Sequence, residues 1–159
     1  MGLGPMQVPR WIQGPFPTPA AGADFTIKPV GQGGILVKTV RFTFTADAVV
    51  GNRSIRLLAT DGTTVWWETD LPALVAALGV VPVSLFDGAT PGVAASGLVT
   101  LALPLGGLWL PQGHSLVSLT AGIDPGDTYS GLAGLVYELP SGPYVRMDPT
   151  SLVYLEAQE

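Results

Sequence analysis

The chain has 159 residues and a net charge of −5, and charged side chains make up only 12% of it. This length fits one domain with its own hydrophobic core, whereas the acidic balance and the seven scattered Lys and Arg residues argue against nucleic acid as a partner. Cysteine is absent, which excludes disulfides and thiolate metal sites. The 21 glycines and 15 prolines interrupt helices and favour short strands joined by turns.

The first predicted element is an extended Pro/Gly-rich arm over residues 1–23. Proline fixes φ and removes a backbone donor, so neither a helix nor a central strand is expected here. The apolar side chains of the arm nevertheless favour burial. We therefore expect Trp11, Ile12 and Phe16 to bind a neighbouring subunit. The start of the sequence lacks the basic segment and apolar run of a signal peptide, and none is predicted.

A β-sandwich domain is predicted over residues 24–140, because short β-rich runs alternate with turn signals. In the clearest run, Val40, Phe42 and Phe44 share one face, while Thr and Arg residues occupy the other. This period of two places one face of the strand in the core. The predicted strands cover residues 24–30, 35–46, 53–60, 63–69, 80–86, 97–103, 115–121 and 128–139.

A hairpin is predicted around Asp61-Gly62, because this pair suits a two-residue turn in which both residues have positive φ. In its second strand the adjacent tryptophans face opposite ways. Trp67 is expected in the core, and Trp66 is expected at the surface or at a subunit contact, where tryptophan is enriched. An exposed tryptophan also suits stacking on a sugar ring, so a carbohydrate-binding surface module is one alternative function.

Residues 71–123 contain a single formal charge, at Asp87. A soluble monomer normally covers its outer faces with charged side chains, so we expect another chain to cover part of this region. Pro72 and Gly79 frame residues 71–79, which are predicted to form one or two helical turns. Prolines and glycines break the most hydrophobic stretch, so no membrane span and no membrane partner are predicted.

The last predicted segment is a tail over residues 141–159, which contains the apolar run Leu152-Val153-Tyr154-Leu155. This run is expected to add to a sheet edge or to a neighbour. Leu152 and Tyr154 therefore join the candidate partner-binding residues.

The architecture predicted from these elements is all-β. Eight strands suit two four-stranded antiparallel sheets packed face to face, and a long arm before the first strand is common in jelly-roll domains. We therefore predict a jelly-roll-like sandwich, with an immunoglobulin-like sandwich as the alternative.

The polar residues do not match a catalytic or metal-binding pattern. His114 is the only histidine, and the adjacent Ser115 points to the opposite face of a strand. One histidine without cysteine supplies too few zinc ligands. Asp124 and Asp127 stand where turns favour aspartate; calcium at this loop is a weaker alternative, because the twelve-residue calcium-binding pattern is absent. We expect no enzymatic activity, no metal and no cofactor.

Several runs resemble small β-sandwich virion proteins of tailed bacteriophages. The resemblance covers about residues 35–139 and is a pattern of strands and turns rather than a catalytic signature. It is carried by residues 39–53 (TVRFTFTADAVVGNR), 55–57, the Asp61-Gly62 hairpin, residues 110–116 (LPQGHSL), 120–122 and 126–127.

This resemblance implies a structural part of a virion, assembled in the host cytoplasm, and carries over no functional residue. A trimeric capsid decoration protein that binds the major capsid protein is the first expectation. A neck, tail or fibre-base component is the alternative within the same family. The apolar residues 71–95 depart from the family pattern and leave the partner surface open.

Overall fold

The computed structural model describes residues 10–29 and 33–138, and this part of the chain forms strands but no helix. None of it could therefore cross a membrane as a helix. The strands are β1 Arg10–Pro15, β2 Thr26–Ile27, β3 Ile35–Thr45, β4 Ser54–Thr60, β5 Val65–Asp70, β6 Val80–Asp87, β7 Gly92–Val93, β8 Val99–Leu103, β9 Leu108–Leu110, β10 Ser115–Ala121 and β11 Thr128–Glu138.

These strands form two sheets that pack as a sandwich. The larger sheet has the order β1-β11-β3-β6-β8-β7, with β9 also pairing with β3, and the smaller sheet has the order β2-β10-β4-β5. The predicted all-β, two-sheet fold is confirmed. The eight predicted strands divide four and four between the two sheets, and the larger sheet contains three further strands that the sequence did not predict, β1, β7 and β9. The parallel pairing of β6 with β8 also departs from an all-antiparallel jelly roll.

The core lies between the sheets and follows the predicted alternation. Val40, Phe42 and Phe44 are buried on β3, and they pack with apolar residues of β4 and β10. Four aromatic rings meet at its centre, with Phe25 and Phe44 lying 5.2 and 4.9 Å from the Tyr129 ring. Burial of this kind supplies most of the driving force for folding.

A polar group inside the core ties the segment before β2 to the smaller sheet. The hydroxyls of Ser118 and Thr120 donate to the Asp24 carboxylate over 2.8 and 2.7 Å. The Thr120 hydroxyl also lies 2.6 Å from that of Tyr129. Burial raises the pKa of Tyr129 to about 12, so the phenol stays neutral at physiological pH.

Part of the predicted arm forms the edge strand β1, which pairs with β11 of the same chain. The Phe16 side chain then turns inward and packs against the core. Gly134 of β11 makes room for it, because a Cβ there would lie 2.9 Å from the Phe16 ring and would overlap the Thr39 carbonyl oxygen. A Cβ at this position would therefore disturb both the pairing of β11 with β3 and the packing of Phe16.

The helical turns predicted over residues 71–79 are wrong, because this segment is an irregular loop. The backbone of Val75 pairs in both directions with Arg53, at N···O distances of 2.9 and 2.8 Å. The Val75 side chain is buried, and this extended pairing is incompatible with a helical turn. Leu78 adopts φ 58°, a left-handed conformation that is uncommon outside glycine.

The predicted hairpin between β4 and β5 is confirmed, but its turn is longer than two residues. Thr60 pairs with Val65, so four residues form the loop, and only Gly62 among them has positive φ. The Asp61 carboxylate accepts the backbone N–H groups of Thr64 and Thr63 over 2.7 and 2.8 Å. These bonds, that from Thr64 first, lower the pKa of Asp61 below its ordinary value.

Candidate functional site

The outward face of the larger sheet carries a row of four large side chains. Trp11 lies opposite Tyr137, Tyr137 opposite Leu36, and Leu36 opposite Trp109. Directly opposed residues of antiparallel strands project to the same side of a sheet. The four side chains, called here the aromatic row, therefore cross four neighbouring strands on one face.

The rings of the aromatic row lie open to solvent. Trp11 is 55% exposed and Trp109 is 39% exposed. The Trp11 and Tyr137 rings are in contact, with centroids 4.8 Å apart and planes inclined at 51°. The Trp109 indole covers the backbone of Gly34, where a Cβ would come within 2.5 Å of the ring. The sheet thus fixes the aromatic groups without covering them.

Beside the aromatic row, smaller side chains form an open groove of about 600 Å³. Two further rows of cross-strand neighbours on the same face of the sheet include residues that line this groove. Phe86, on the side of the groove formed by β6, is 41% exposed. Arg41 is the one charged residue of these rows, and it makes no ion pair within residues 10–29 and 33–138. The two rows are Gln13, Leu135, Thr39, Phe86 and Ala102, and Pro15, Ala133, Arg41, Ser84 and Thr100.

An ion pair lies at the end of β6, outside the lining of the groove. Lys38 binds the Asp87 carboxylate and also donates to the Gly106 carbonyl oxygen over 3.0 Å. Asp87 is the single formal charge between residues 71 and 123, and Lys38 neutralises it. The face around the aromatic row is therefore almost free of net charge, apart from Arg41.

The opposite end of the sandwich holds a polar cluster around Arg53, whose side chain is fully buried. Its guanidinium forms a two-point pair with Asp127, with both N···O distances at 2.9–3.0 Å. It also donates to the carboxylates of Asp47 and Asp124 over 2.7 and 2.9 Å. Two further bonds of 2.9 and 2.7 Å reach the carbonyl oxygens of Val49 and Gly51.

This cluster joins three loops, at residues 46–52, 71–79 and 122–127, and we call this region the loop end. Burial alone would raise the pKa of Asp127, but the hydrogen bond from Arg53 and the backbone N–H groups of Asp124 and Asp47 lower it below its ordinary value. The bond to Asp127 is likewise the main reason that the pKa of Arg53 is raised. Both groups are therefore held in their charged forms.

The cluster also explains the role of Asp124 and Asp127, the aspartates of the possible calcium site. The Arg53 guanidinium occupies the position between Asp124 and Asp127 that a calcium ion would need. Within the described ranges, no group of three or more His, Asp or Glu side chains is arranged to hold a metal ion. Asp127 instead stabilises its own loop by accepting the N–H of Asp124 over 2.8 Å.

The predicted partner-binding residues do not form one site. Trp11 and the adjacent Ile12 are exposed on the edge strand, whereas Phe16 packs against the core of its own chain. Trp66 is 44% exposed on the smaller sheet, with its ring centroid 6.2 Å from that of His114. Trp67 packs against the core as predicted. Leu152 and Tyr154 lie outside the described residues.

Sequence reasoning missed most of the aromatic row, although one signal for it was available. The run Leu108-Trp109-Leu110 alternates buried, exposed and buried side chains, a period that places Trp109 on the outer face of a strand. Tyr137 and Leu36 give no such signal alone, because their place in the row depends on the pairing of β3 with β11.

Comparison of the chain with models of protein families, with curated proteins and with solved structures gives no significant match.

Proposed function

We propose that this protein is a virion structural subunit, with capsid decoration as its role, and that it binds other subunits through the face that carries the aromatic row. The carrying observation is the exposure of Trp11, Trp109 and Phe86 on one nearly uncharged face. Contiguous exposed apolar surface marks interaction sites in soluble proteins. The resemblance of residues 35–139 to the strand and turn pattern of phage virion proteins supports the choice of a virion protein as the partner.

The distribution of exposed apolar side chains supports an assembled state. Within residues 71–123, which hold one formal charge, eight large apolar side chains are exposed. A monomer would present them all to water, whereas neighbouring subunits would cover them and release the ordered water. These residues are Leu74, Leu78, Val80, Phe86, Val93, Leu105, Trp109 and Leu119.

The proposed partner is the major capsid protein, and the proposed assembly is a trimer of this chain on its lattice. Aromatic side chains supply large contact areas at low entropic cost, so the aromatic row serves as the anchor. Arg41 lies in the groove beside it, makes no ion pair with the residues that the structure describes, and suits a carboxylate of the partner. Repeated contacts across the lattice stabilise the shell by mass action, because the assembled form binds better than its parts.

The location is tested by labelling intact particles with an antibody raised against the full chain. Label spread over the head supports capsid decoration. Label confined to the neck, tail or fibre base overturns decoration and assigns the protein to that alternative position. Particles without label, from cells that produce the protein, overturn a virion role altogether.

The proposed surface is tested by cosedimentation with heads assembled without this protein. We expect Trp11→Ser combined with Trp109→Ser to weaken binding by at least about 30-fold, as removal of central aromatic anchors does. Trp66→Ser, which removes an exposed tryptophan of the smaller sheet, is the control and should leave binding within about twofold. Equal binding by all variants would assign the contact to another face. A full chain that stays monomeric at high concentration and binds no heads contradicts the assembly proposal.

The second candidate function is binding of a carbohydrate chain, and the aromatic row is the observation that favours it. Tyr137 and Trp109 lie on strands two apart, which places them about 10 Å from each other. Aromatic faces stack on pyranose rings, and such a spacing suits two sugar units of one chain. Trp66, which the sequence suggests for this role, lies on the smaller sheet.

A glycan array probed with the full chain separates the two candidates. Binding to one class of oligosaccharide, lost in Trp109→Ala but kept in Trp66→Ala, supports the carbohydrate function. An array without binding, together with binding to heads, leaves the structural function.

A further inference from the structure

We propose that the groove beside the aromatic row binds an acidic oligosaccharide, and that Arg41 pairs with a carboxylate of this ligand. The groove has a volume of about 600 Å³ and is lined by residues of β1, β11, β3 and β6, which are neighbours in the larger sheet. Since neighbouring strands lie about 4.8 Å apart, the groove crosses the strands over about 14 Å. A short, extended chain of sugar units suits a groove of this shape.

Arg41 supplies the positive charge of the groove and stands among small side chains. Ala133 of β11 and Ser84 of β6 lie directly opposite it, so their Cβ atoms are about 5 Å from that of Arg41. These small neighbours leave room for a ligand beside the guanidinium. The exposed Arg41 side chain makes no ion pair or hydrogen bond with the part of the chain that the structure describes. Its unused N–H groups suit the two oxygens of a carboxylate.

The other polar side chains of the groove suit hydroxyl groups. The Gln13 amide and the hydroxyls of Thr18 and Ser84 have no hydrogen-bond partner among residues 10–29 and 33–138. The Thr39 hydroxyl accepts the N–H of Leu135 over 3.0 Å and retains its own hydrogen for donation. Amide and hydroxyl groups both donate and accept, as the hydroxyls of a sugar do. The groove therefore matches a ligand with many hydroxyls and few charges.

An aromatic ring lies next to the arginine. Phe86 is 41% exposed and follows Ser84 by two residues on β6, which makes it the diagonal neighbour of Arg41. Diagonal neighbours on one face of a sheet are about 7–8 Å apart. Binding sites for small ligands combine aromatic groups with a few polar groups that fix the orientation. Here the ring can stack on the apolar face of one sugar unit while the guanidinium binds the carboxylate of the same unit or the next.

A carbohydrate fits this groove better than an acidic polypeptide does. A polypeptide brings one amide group per residue, and burial of an amide without a hydrogen-bond partner costs free energy. Strands β11, β3 and β6 each have a neighbour on both sides, so their backbone groups are largely used in pairing and do not serve those amides. The inference rests on the second candidate function, because it names the class of carbohydrate and the residue that selects it.

Oligosaccharides of uronic acids are the probe. Tetramers prepared from alginate, pectate and hyaluronate differ in linkage, and reduction of their carboxylates to primary alcohols gives neutral forms with the same backbones. In calorimetric titrations of the full chain, we expect at least one acidic tetramer to bind at least about tenfold more tightly than its reduced form. Added salt should weaken binding of the acidic form alone, because the reduced form carries no charge to be screened.

Variants at two arginines test whether the groove is the site. Arg41→Gln should lower the affinity for the acidic tetramer to that for its reduced form. Arg41→Lys should restore only part of the loss, because lysine keeps the charge without the two-point geometry. Arg56→Gln is the matched control, since it removes the same charge from the smaller sheet, and should leave the affinity within about twofold. Phe86→Ala should weaken both forms alike, because stacking does not depend on the charge.

Each contrary result overturns the inference in a distinguishable way. Equal affinity for the acidic and reduced forms, lost in Trp109→Ala but kept in Arg41→Gln, would leave carbohydrate binding to the aromatic row alone. Binding of a glutamate peptide that depends on Arg41, with no oligosaccharide bound, would assign Arg41 to a carboxylate of a protein partner. Titrations in which no acidic tetramer binds would exclude the acidic ligand, and the glycan array then decides separately whether a neutral carbohydrate binds.

Discussion

The loop end and the outer face of the larger sheet differ in how their side chains are partnered. At the loop end, Arg53 and three aspartates pair with one another inside the protein, and each charged group has partners. On the face with the aromatic row, Trp11, Trp109 and Phe86 are exposed, and Arg41 makes no ion pair within residues 10–29 and 33–138. The charged groups of the loop end are thus paired within one chain, whereas we propose that another chain covers the aromatic row.

The comparison shows where the few charged residues of this chain are placed. The loop end concentrates three of the twelve acidic residues around one arginine, where they fix three loops rather than improve solubility. The outer face is left with few charges, which lowers the cost of removing it from water. We therefore expect stability to depend on the loop end and the proposed interaction to depend on the outer face, and variants should separate the two.

The largest expected effect is the loss of Arg53. Arg53→Met leaves Asp47, Asp124 and Asp127 close together without a counter-charge, and removing one partner of a buried ionic group is strongly destabilising. We expect the midpoint of thermal unfolding, followed by circular dichroism, to fall by roughly 10 °C or more.

Arg56→Met is the matched control, because it removes the same charge from a half-exposed side chain that pairs with Glu68 and Asp70. Exposed pairs contribute little, so the midpoint should move by less than about 3 °C. Similar losses in the two variants would mean that the Arg53 cluster does not hold the loop end together.

A second, smaller effect is expected where β1 docks. Gly134→Ala places a methyl group against the Phe16 ring and the Thr39 carbonyl, and overpacking of this kind costs about 1–3 kcal/mol. Urea unfolding measures the loss, and hydrogen exchange should show faster exchange in β1 than in β3.

The control is Gly14→Ala, at the residue opposite Gly134 in the register, because a Cβ there meets nothing within 4 Å. It should leave the free energy of unfolding unchanged to within about 0.5 kcal/mol. If Gly134→Ala proves as harmless as Gly14→Ala, the docking of Phe16 is not what holds β1 in place.

The loop end should also respond to acid. Because the pKa of Asp127 is lowered on folding, the unfolded chain takes up a proton below the ordinary value of 3.8 while the folded chain resists it. The stabilisation is present above that pH and is lost as the pH falls through the lower folded value. We expect the unfolding midpoint to drop by a few °C per pH unit between about pH 4 and pH 2.

Asp127→Asn should flatten this dependence, although it lowers the midpoint at neutral pH. The exposed Asp70→Asn keeps the slope of the unaltered protein and serves as the control. A slope that is the same in all three proteins would assign acid sensitivity to other carboxyls, such as Asp61, whose pKa is also lowered.

Local patterns in the sequence predicted the parts of this fold that depend on one strand or one turn. The alternation around Phe42 and the Asp61-Gly62 hairpin were enough to place a core face and a connection. Strand β1 is not predicted from the sequence, because its pairing partner β11 lies more than a hundred residues away. The composition of residues 71–79 predicts helical turns, because the backbone bridge from Val75 to Arg53 is not visible in it.

The candidate site was predicted only in part for the same reason. Trp11 and Ile12 stand out as apolar residues in a proline-rich arm, so they were found from the sequence. Tyr137 and Leu36 join Trp11 only through the register of three strands. Arg53 looked like an ordinary strand residue, since nothing local indicates that aspartates at 124 and 127 will surround it.

The smallest expected effect concerns Leu78, an exposed leucine held in a left-handed conformation at the loop end. Its N–H donates to the Asp47 carbonyl oxygen over 2.8 Å, so the backbone must keep this shape. Glycine adopts it without strain, and Leu78→Gly should therefore raise the free energy of unfolding by about 0.5–1 kcal/mol in urea titrations. Leu74→Gly, at an exposed leucine without positive φ in the same loop, should give no gain.

A loss of stability in Leu78→Gly would mean that the Leu78 side chain itself stabilises the loop end. A gain means that the backbone at this position favours glycine, so that the leucine does not contribute to the stability of the chain and belongs with the exposed apolar residues that the proposed partner would cover.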